Sequence, residues 1–381
     1  LANTLEALGR GGPTELFAAV SHGRRDFAAP PDGWDLARQQ RIAIDDGPPG
    51  AGDVLRALIR PTIPFEMPVR ARPAVTSALR QFAQGPYDLV WFFQVRAWVL
   101  AGGLGLGPEV VDIDDLEDEK ILARAALPRS PDEQRGRWRR GAARLWTNED
   151  VRRWRRLHRL VADRATATVV CSDLDARRSG LSGVRVLANG YPAPDHPVGR
   201  PALSSPPVIA FQGTLRYPPN ADAARYLVED IGPRLRALVP TAQIRLIGLG
   251  SPDLAGFDDP PAVTMTGQVD DITDELARAD VIIIPLRYGS GTRVKILEAF
   301  AHRIPVVSTT IGAEGLEVRA GHHLLVADDP DGLARACARL LADDGLRHAI
   351  VAQAHALFLE RYQSSVVQEE IGALARELAT P

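Results

Sequence analysis

The chain has 381 residues, 45% hydrophobic and 24% charged, a formal net charge of -3 and two cysteines, Cys171 and Cys337. That length suits two domains, the composition excludes extended disorder, and the charge offers no bulk attraction for nucleic acid. Two distant cysteines give neither a disulfide framework nor a thiolate metal site, and no apolar run nears the roughly 20 residues of a membrane helix, so a soluble protein of a reducing compartment such as the cytoplasm is expected.

The sequence begins without methionine at "LANTLEALGRGG" (1–12), which reads as a helix with a glycine stop before a strand at "TELFAAV" (14–20). It lacks the pattern of a secretory signal, and something upstream is expected to be missing. Up to residue 190, strand-like runs alternate with helical patterns: "YDLVWFF" (87–93), "EVVDID" (109–114), "TATVVCS" (166–172) and "VRVLA" (184–188). Such alternation predicts parallel strands with crossover helices. Residues 191–207 hold six prolines and end that pattern as a linker. The scheme then repeats at "VIAFQG" (208–213), "AQIRLIGLG" (242–250), "VTMTG" (263–267), "DVIIIPL" (280–286), "IPVVST" (304–309) and "HLLVA" (323–327). The uninterrupted "VIII" suits a central strand covered on both faces. Helices fill residues 329–379. The predicted organisation is an α/β protein with a first doubly wound domain over 1–190, a second over 208–362, and a last helix over 363–381 that returns to the first. Two such sheets facing each other leave a cleft at the carboxyl ends of their strands, with hinge motion at the linker.

"PLRYGSGTRVKILEAF" (285–300) brings chemistry to that cleft. The buried strand ends in Gly289, Ser290 and Gly291, and a helix opens near Thr292. Arg293 and Lys295 in its first turn oppose the helix dipole, so an anion such as a diphosphate is needed to offset them. Glu298 can accept hydrogen bonds from vicinal hydroxyls, as acidic residues do for a ribose. Spacing alone leaves a second reading, a solvated face with an i, i+3 ion pair between Lys295 and Glu298.

Other stretches also have two readings. "DID" (112–114) matches a short Asp-x-Asp metal and diphosphate pattern, but with Asp115, Glu117, Asp118 and Glu119 it also reads as an acidic helix start. Residues 135–159 carry ten arginines and Trp138, Trp146 and Trp154. They suit contact with anionic lipid, an acidic acceptor or nucleic acid, or else a pair of helices with tryptophans inward and arginines in water. "GLGS" (248–251) lacks the third glycine and the acidic residue of a dinucleotide fingerprint, which argues against a dehydrogenase. The histidines show no metal-ligand spacing.

"FQGTLRYPPNADAARYL" (211–227), the run from "VTMTGQVDDITDEL" through "STTIGAEGLE" (263–317) and "HHLLVADDPDGLARA" (322–336) closely resemble nucleotide-sugar glycosyltransferases of the two-Rossmann-domain GT-B class, specifically the retaining family 4 (group 1). "VVCSDLDARR" (169–178) and "VLANG" (186–190) resemble the end of that family's first domain. The resemblance implies transfer of a sugar from a nucleoside-diphosphate sugar to an acceptor hydroxyl, with retention, no metal and no further cofactor. The donor would be held mainly by the second domain, and an acceptor of unknown kind (small molecule, glycan or lipid-linked) mainly by the first. It also implies a strand and a glycine-rich loop ahead of "LANTLEAL". Carried over by position, Arg293 and Lys295 neutralise the leaving diphosphate, and Glu298 binds the ribose. Gly291 and Thr292 supply backbone donors, while Gly213 and Thr214 lie beside the phosphates. The family often has arginine and lysine after the strand at 208–213, where this chain has "GTLRYPPN" and Arg216 is the substitute. Val269 borders the base and the loop containing Glu314 borders the donor sugar. Ser290 stands where the family usually has a second glutamate. Asp114 stands where it often has a histidine, and Asp114 or Asp115 would bind a donor-sugar hydroxyl, orient the acceptor or cap the helix that follows. A sugar-nucleotide epimerase or hydrolase, or a non-catalytic sugar-nucleotide-binding protein on the same fold, is the alternative.

Overall fold

A computed structural model of the chain describes residues 2–21, 36–44, 61–65, 67, 69–114, 116–126, 137–199, 202–250, 252–289, 291 and 293–379. The chain divides into two units, one of residues 1–188 with 367–381 and one of residues 189–366. Among the described residues no helix is long and apolar enough to cross a membrane.

The first unit starts with α1 (Ala2–Gly11) and a parallel two-stranded sheet of β1 (Thr14–Ser21) and β2 (Leu36–Ile44). The polar run Arg38, Gln39, Gln40 and Arg41 hides the alternation of β2, and the sequence signals only β1 of this pair. A second sheet, all parallel, has the order β3 (Val90–Phe93), β4 (Glu109–Asp112), β5 (Ala167–Val170), β6 (Arg185–Val186). Between these strands lie α2 (Arg72–Phe82, ahead of β3), α3 (Val95–Ala101), α4 (Glu117–Ala126), α5 (Arg137–Arg164) and α6 (Asp173–Ser179). From Arg137 on, the basic segment forms one helix of 28 residues, not a pair: it holds no proline, and its single glycine, Gly141, costs only about 1 kcal/mol. Trp154, Leu157 and Val161 face the core at 1% exposure or less, whereas Trp146 stays half exposed and stacks on Phe65 at 4.0 Å. Arg144, Arg152, Arg155, Arg156 and Arg159 are exposed, and Arg153 turns inward to Glu149 and the carbonyl of Ile63. The side chain of Trp138 lies outside the described residues.

In the second unit six parallel strands, β7 (Val208–Gln212), β8 (Gln243–Ile247), β9 (Val263–Met265), β10 (Val281–Ile284), β11 (Val306–Ser308) and β12 (Leu325–Val326), take the order β9-β8-β7-β10-β11-β12. Numbered from β7 this is 3-2-1-4-5-6, the doubly wound order whose direction reverses between the first and fourth strands. The four residues of β10 are 0% exposed, and burying each contributes roughly 1.5–3 kcal/mol, which explains their unbroken apolar run. Asp280 anchors the strand's start by accepting from Val208 N at 2.7 Å and from Ser204 N at 2.9 Å. Helices α7 (Pro218–Tyr226), α8 (Gly232–Leu238), α9 (Thr273–Leu276), α10 (Val294–Ala301), α11 (Pro330–Ala342) and α12 (Asp344–Leu357) complete this unit.

The last helix, α13 (Ser364–Leu378), packs Val367 and Ile371 with Ala7, and Leu374 with Val110 and Val169. These apolar contacts assign its residues from Val367 onward to the first unit.

Candidate functional site

The carboxyl ends of β7 and β10 define the reversal point of the second sheet, where ligands bind in open α/β folds. β7 runs straight into Gly213. A β-carbon there would stand 2.8 Å from Asn220 Nδ2 and 3.1 Å from Lys295 Nζ, and its φ of 146° is one that side-chain-bearing residues rarely adopt. The end of β8 crowds the same spot, since a β-carbon on Gly248 would lie 2.1 Å from the Gly213 carbonyl oxygen. Close backbone approach, rather than a dinucleotide, accounts for the first glycine of "GLGS".

Lys295 occupies the first turn of α10, which Arg293 precedes at the N-cap position. Its ammonium donates to Asn220 Oδ1 at 2.7 Å and lies 4.7 Å from the centre of the Phe211 ring. Asn220 in turn donates to the Thr214 carbonyl at 3.0 Å. Burial, reinforced by the Arg293 charge, pulls the Lys295 ammonium down to about 7, and Glu298 only partly opposes this. The guanidinium of Arg293 is buried, donates to the Gly291 carbonyl at 3.0 Å and packs on Gly289, whose φ is 144°.

Glu298 is one turn further on and half-buried. Its Oε1 accepts from the Tyr191 hydroxyl at 2.7 Å and its Oε2 from Gln212 Nε2 at 3.3 Å. Gln212 Nε2 also donates to the Lys295 carbonyl at 3.3 Å. The side chains of Lys295 and Glu298 therefore look in different directions, each to its own partners from β7, α7 or Tyr191. The i, i+3 ion pair that their spacing allows does not form, because Asn220 and Tyr191 compete successfully for the two charges.

Gly213, Gly291, Arg293, Lys295 and Glu298 thus gather around the ends of β7 and β10. Thr214 is exposed, and Arg216, also exposed, donates to the Gly250 carbonyl at 3.1 Å. Val269 lies half-buried beyond β9. Glu314 follows the short turn Ile311–Ala313, which lies so close to β10 that a β-carbon on Gly312 would meet the Ile284 carbonyl at 2.5 Å. Ser290, Thr292 and Asp115 lie outside the described residues. Asp114 belongs to the first unit, after β4, with a φ of 57° and its N–H donating to Asp112 Oδ1 at 3.1 Å. Burial and the neighbouring Asp114 charge push the Asp112 carboxyl up to about 7. Asn220, Gln212 and Tyr191 were not singled out in the sequence. Asn220 had a faint signal in the "PPN" that opens α7; Tyr191 had none.

Residues 206–343 match the family described as Glycosyl transferases group 1. A phosphatidyl-myo-inositol mannosyltransferase of Mycolicibacterium smegmatis is 34% identical over 151 residues, which are 36% of this chain and 38% of that protein. The chain thus covers well under half the length of this curated relative. Sucrose-phosphate synthase of Thermosynechococcus elongatus shares the fold with a TM-score of 0.69 and 18% identity, over 98% of this chain and 91% of that one. Anabaena HepE, in a crystal structure with UDP and glucose, superposes with a TM-score of 0.60 and 14% identity over 96% and 99% of the two chains. The GT-B likeness therefore extends over both units.

Proposed function

We propose that this chain, whose residues 206–343 match the family described as Glycosyl transferases group 1, moves a sugar from a nucleoside-diphosphate sugar to an acceptor hydroxyl. The observation that carries this reading is the pairing of an enclosed ammonium, Lys295, with an oriented carboxylate, Glu298, at the reversal point of the sheet. The diphosphate lies against Gly213, Lys295, Arg293 and the start of α10, and the ribose hydroxyls reach Glu298. Charge builds on the diphosphate as the anomeric carbon separates from it. Lys295 and Arg293 meet that charge more strongly in the transition state than in the ground state, which is the condition for catalysis. Transfer without a metal and with retention of configuration is the course that the family resemblance implies. The UDP and glucose bound to Anabaena HepE support a donor of this chemical class.

A thermal-shift screen of UDP, GDP, ADP and their sugar conjugates tests the reading. A ligand at 100 times its Kd stabilises the folded state by about 2.7 kcal/mol. One nucleoside family is expected to raise Tm by several degrees, and a flat response to all of them removes the proposal.

The Lys295 ammonium gives a pH signature. With its pKa held near 7 in the free protein against the 10.5 usual for a lysine, the folded state binds fewer protons than the unfolded chain above pH 7. This group therefore adds stability as pH rises from 7 towards 10.5, and its charge is costly below 7. A bound diphosphate reverses the preference and raises the pKa. Binding above pH 7 is then accompanied by proton uptake, and affinity falls with rising pH by up to about tenfold per unit. Calorimetry in buffers of different ionisation enthalpy measures the uptake, and Lys295→Arg is expected to abolish it.

A further inference from the structure

Tyr191 stands near the point where the chain enters the second unit, and its backbone is held from both sides. Its N–H donates to the Tyr362 carbonyl at 2.9 Å, and its own carbonyl accepts from Ser364 N at 3.0 Å. Tyr191 and Gln363 form a short parallel bridge. The anchor on the other strand is firm, because Tyr362 is 3% exposed and its hydroxyl accepts from Glu317 N at 2.8 Å. A ring launched from so fixed a backbone delivers its hydroxyl to one place, Glu298 Oε1 at 2.7 Å. Burial and the Glu298 charge both raise the phenol's pKa, so it stays a donor at any working pH.

A carboxylate has about four lone-pair sites. Tyr191 takes one on Oε1 and Gln212 takes one on Oε2, which leaves each oxygen a further site and fixes the plane in which the two point. Two acceptors held in one plane match two hydroxyls on adjacent carbons. We propose that Tyr191 is a positioning residue for ribose recognition, holding the Glu298 carboxylate so that both oxygens receive the vicinal hydroxyls of the donor nucleoside. The proposal rests on the donor-site reading above and adds to it the group that orients the acceptor pair. The bridge between Tyr191 and Gln363 makes the start and the end of the second unit part of the nucleoside site.

The test is isothermal titration of the full chain and its Tyr191→Phe variant with UDP, GDP and ADP, their 2′-deoxy counterparts and inorganic pyrophosphate. Phenylalanine keeps the ring and loses only the hydroxyl, which removes a hydrogen bond to a charged acceptor. The preferred ribonucleoside diphosphate is expected to lose about tenfold in affinity. Its 2′-deoxy counterpart is expected to lose clearly less, since the hydroxyl and Tyr191 act through the same carboxylate and their effects couple. Pyrophosphate binding stays unchanged. Equal losses for ribo, deoxy and pyrophosphate ligands would show that Tyr191 only braces the fold, and would overturn the inference alone. If the wild-type chain binds none of the nucleotides, the donor-site reading falls and takes this inference with it.

Discussion

Lys295→Met is expected to lower kcat for sugar transfer by two to three orders of magnitude while leaving the fold intact. Methionine keeps the length and much of the volume of the lysine stem and preserves contact with the Phe211 ring, which now lies under the ammonium at 4.7 Å. What it removes is the charge nearest to Gly213 and Asn220. Losing one preorganised donor to a developing oxyanion costs about 2.7–4 kcal/mol, or roughly 10²–10³ in rate. The effect belongs mainly in kcat, because the diphosphate's charge grows as the sugar leaves. Asn220 keeps its bond to the Thr214 carbonyl in the variant, so the turn after β7 stays closed. Stability is expected to change little, since relief of an enclosed ammonium that is costly to keep charged below its lowered pKa of about 7 is offset by the buried Asn220 Oδ1 left without its donor. Steady-state kinetics with the donor identified by thermal shift decide the matter. Unchanged kcat, or a change confined to KM, removes Lys295 from the leaving-group site.

The parts of this site that the sequence displayed were those whose physics is local. A strand covered on both faces must be apolar throughout, so "VIII" announced β10, and the glycines after it announced a turn that side chains cannot make. Arg293, Lys295 and Glu298 stood out because two cations at a helix start are unfavourable without an anion. Local spacing could not say where those side chains point. The partner of Lys295 is 75 positions away and that of Glu298 is 107 positions away, and in each case a packed long-range contact displaced the neighbour that helical periodicity suggested. Strand order is equally non-local: the run of β7, β8, β9 reads the same whether β10 joins at β9 or returns beside β7. β2 shows the opposite failure, since its polar centre, Arg38 to Arg41, masks a strand that pairs along its whole length with β1. A pair of helices is one reading of residues 135–159, yet Arg137–Arg164 is the single helix α5: neither Gly141 nor the polar "TNED" breaks a helix whose Trp154, Leu157 and Val161 are locked into a core.

Glu298→Ala shows whether the second half of the constellation is as separable from the first as the geometry indicates. The carboxylate faces Tyr191 and Gln212, and Lys295 faces Asn220, so loss of one charge leaves the other's contacts in place. Two hydrogen bonds from a ribose to a charged acceptor contribute about 1.5–3 kcal/mol each before the cost of ordering the ligand. Nucleoside-diphosphate affinity is therefore expected to fall about 100-fold, while inorganic pyrophosphate binds within about threefold of wild type. The variant also strands the half-buried Tyr191 hydroxyl and one Gln212 hydrogen, each at a cost of about 1–3 kcal/mol, so Tm is expected to drop by several degrees. With saturating donor, kcat is expected to fall far less than in Lys295→Met, because the ribose contacts are made equally in the ground and transition states and uniform binding does not raise turnover. Titration calorimetry and steady-state kinetics on the two variants supply four numbers. A pyrophosphate affinity that collapses together with the nucleotide's would place Glu298 in the general architecture of the turn and deny it a ribose.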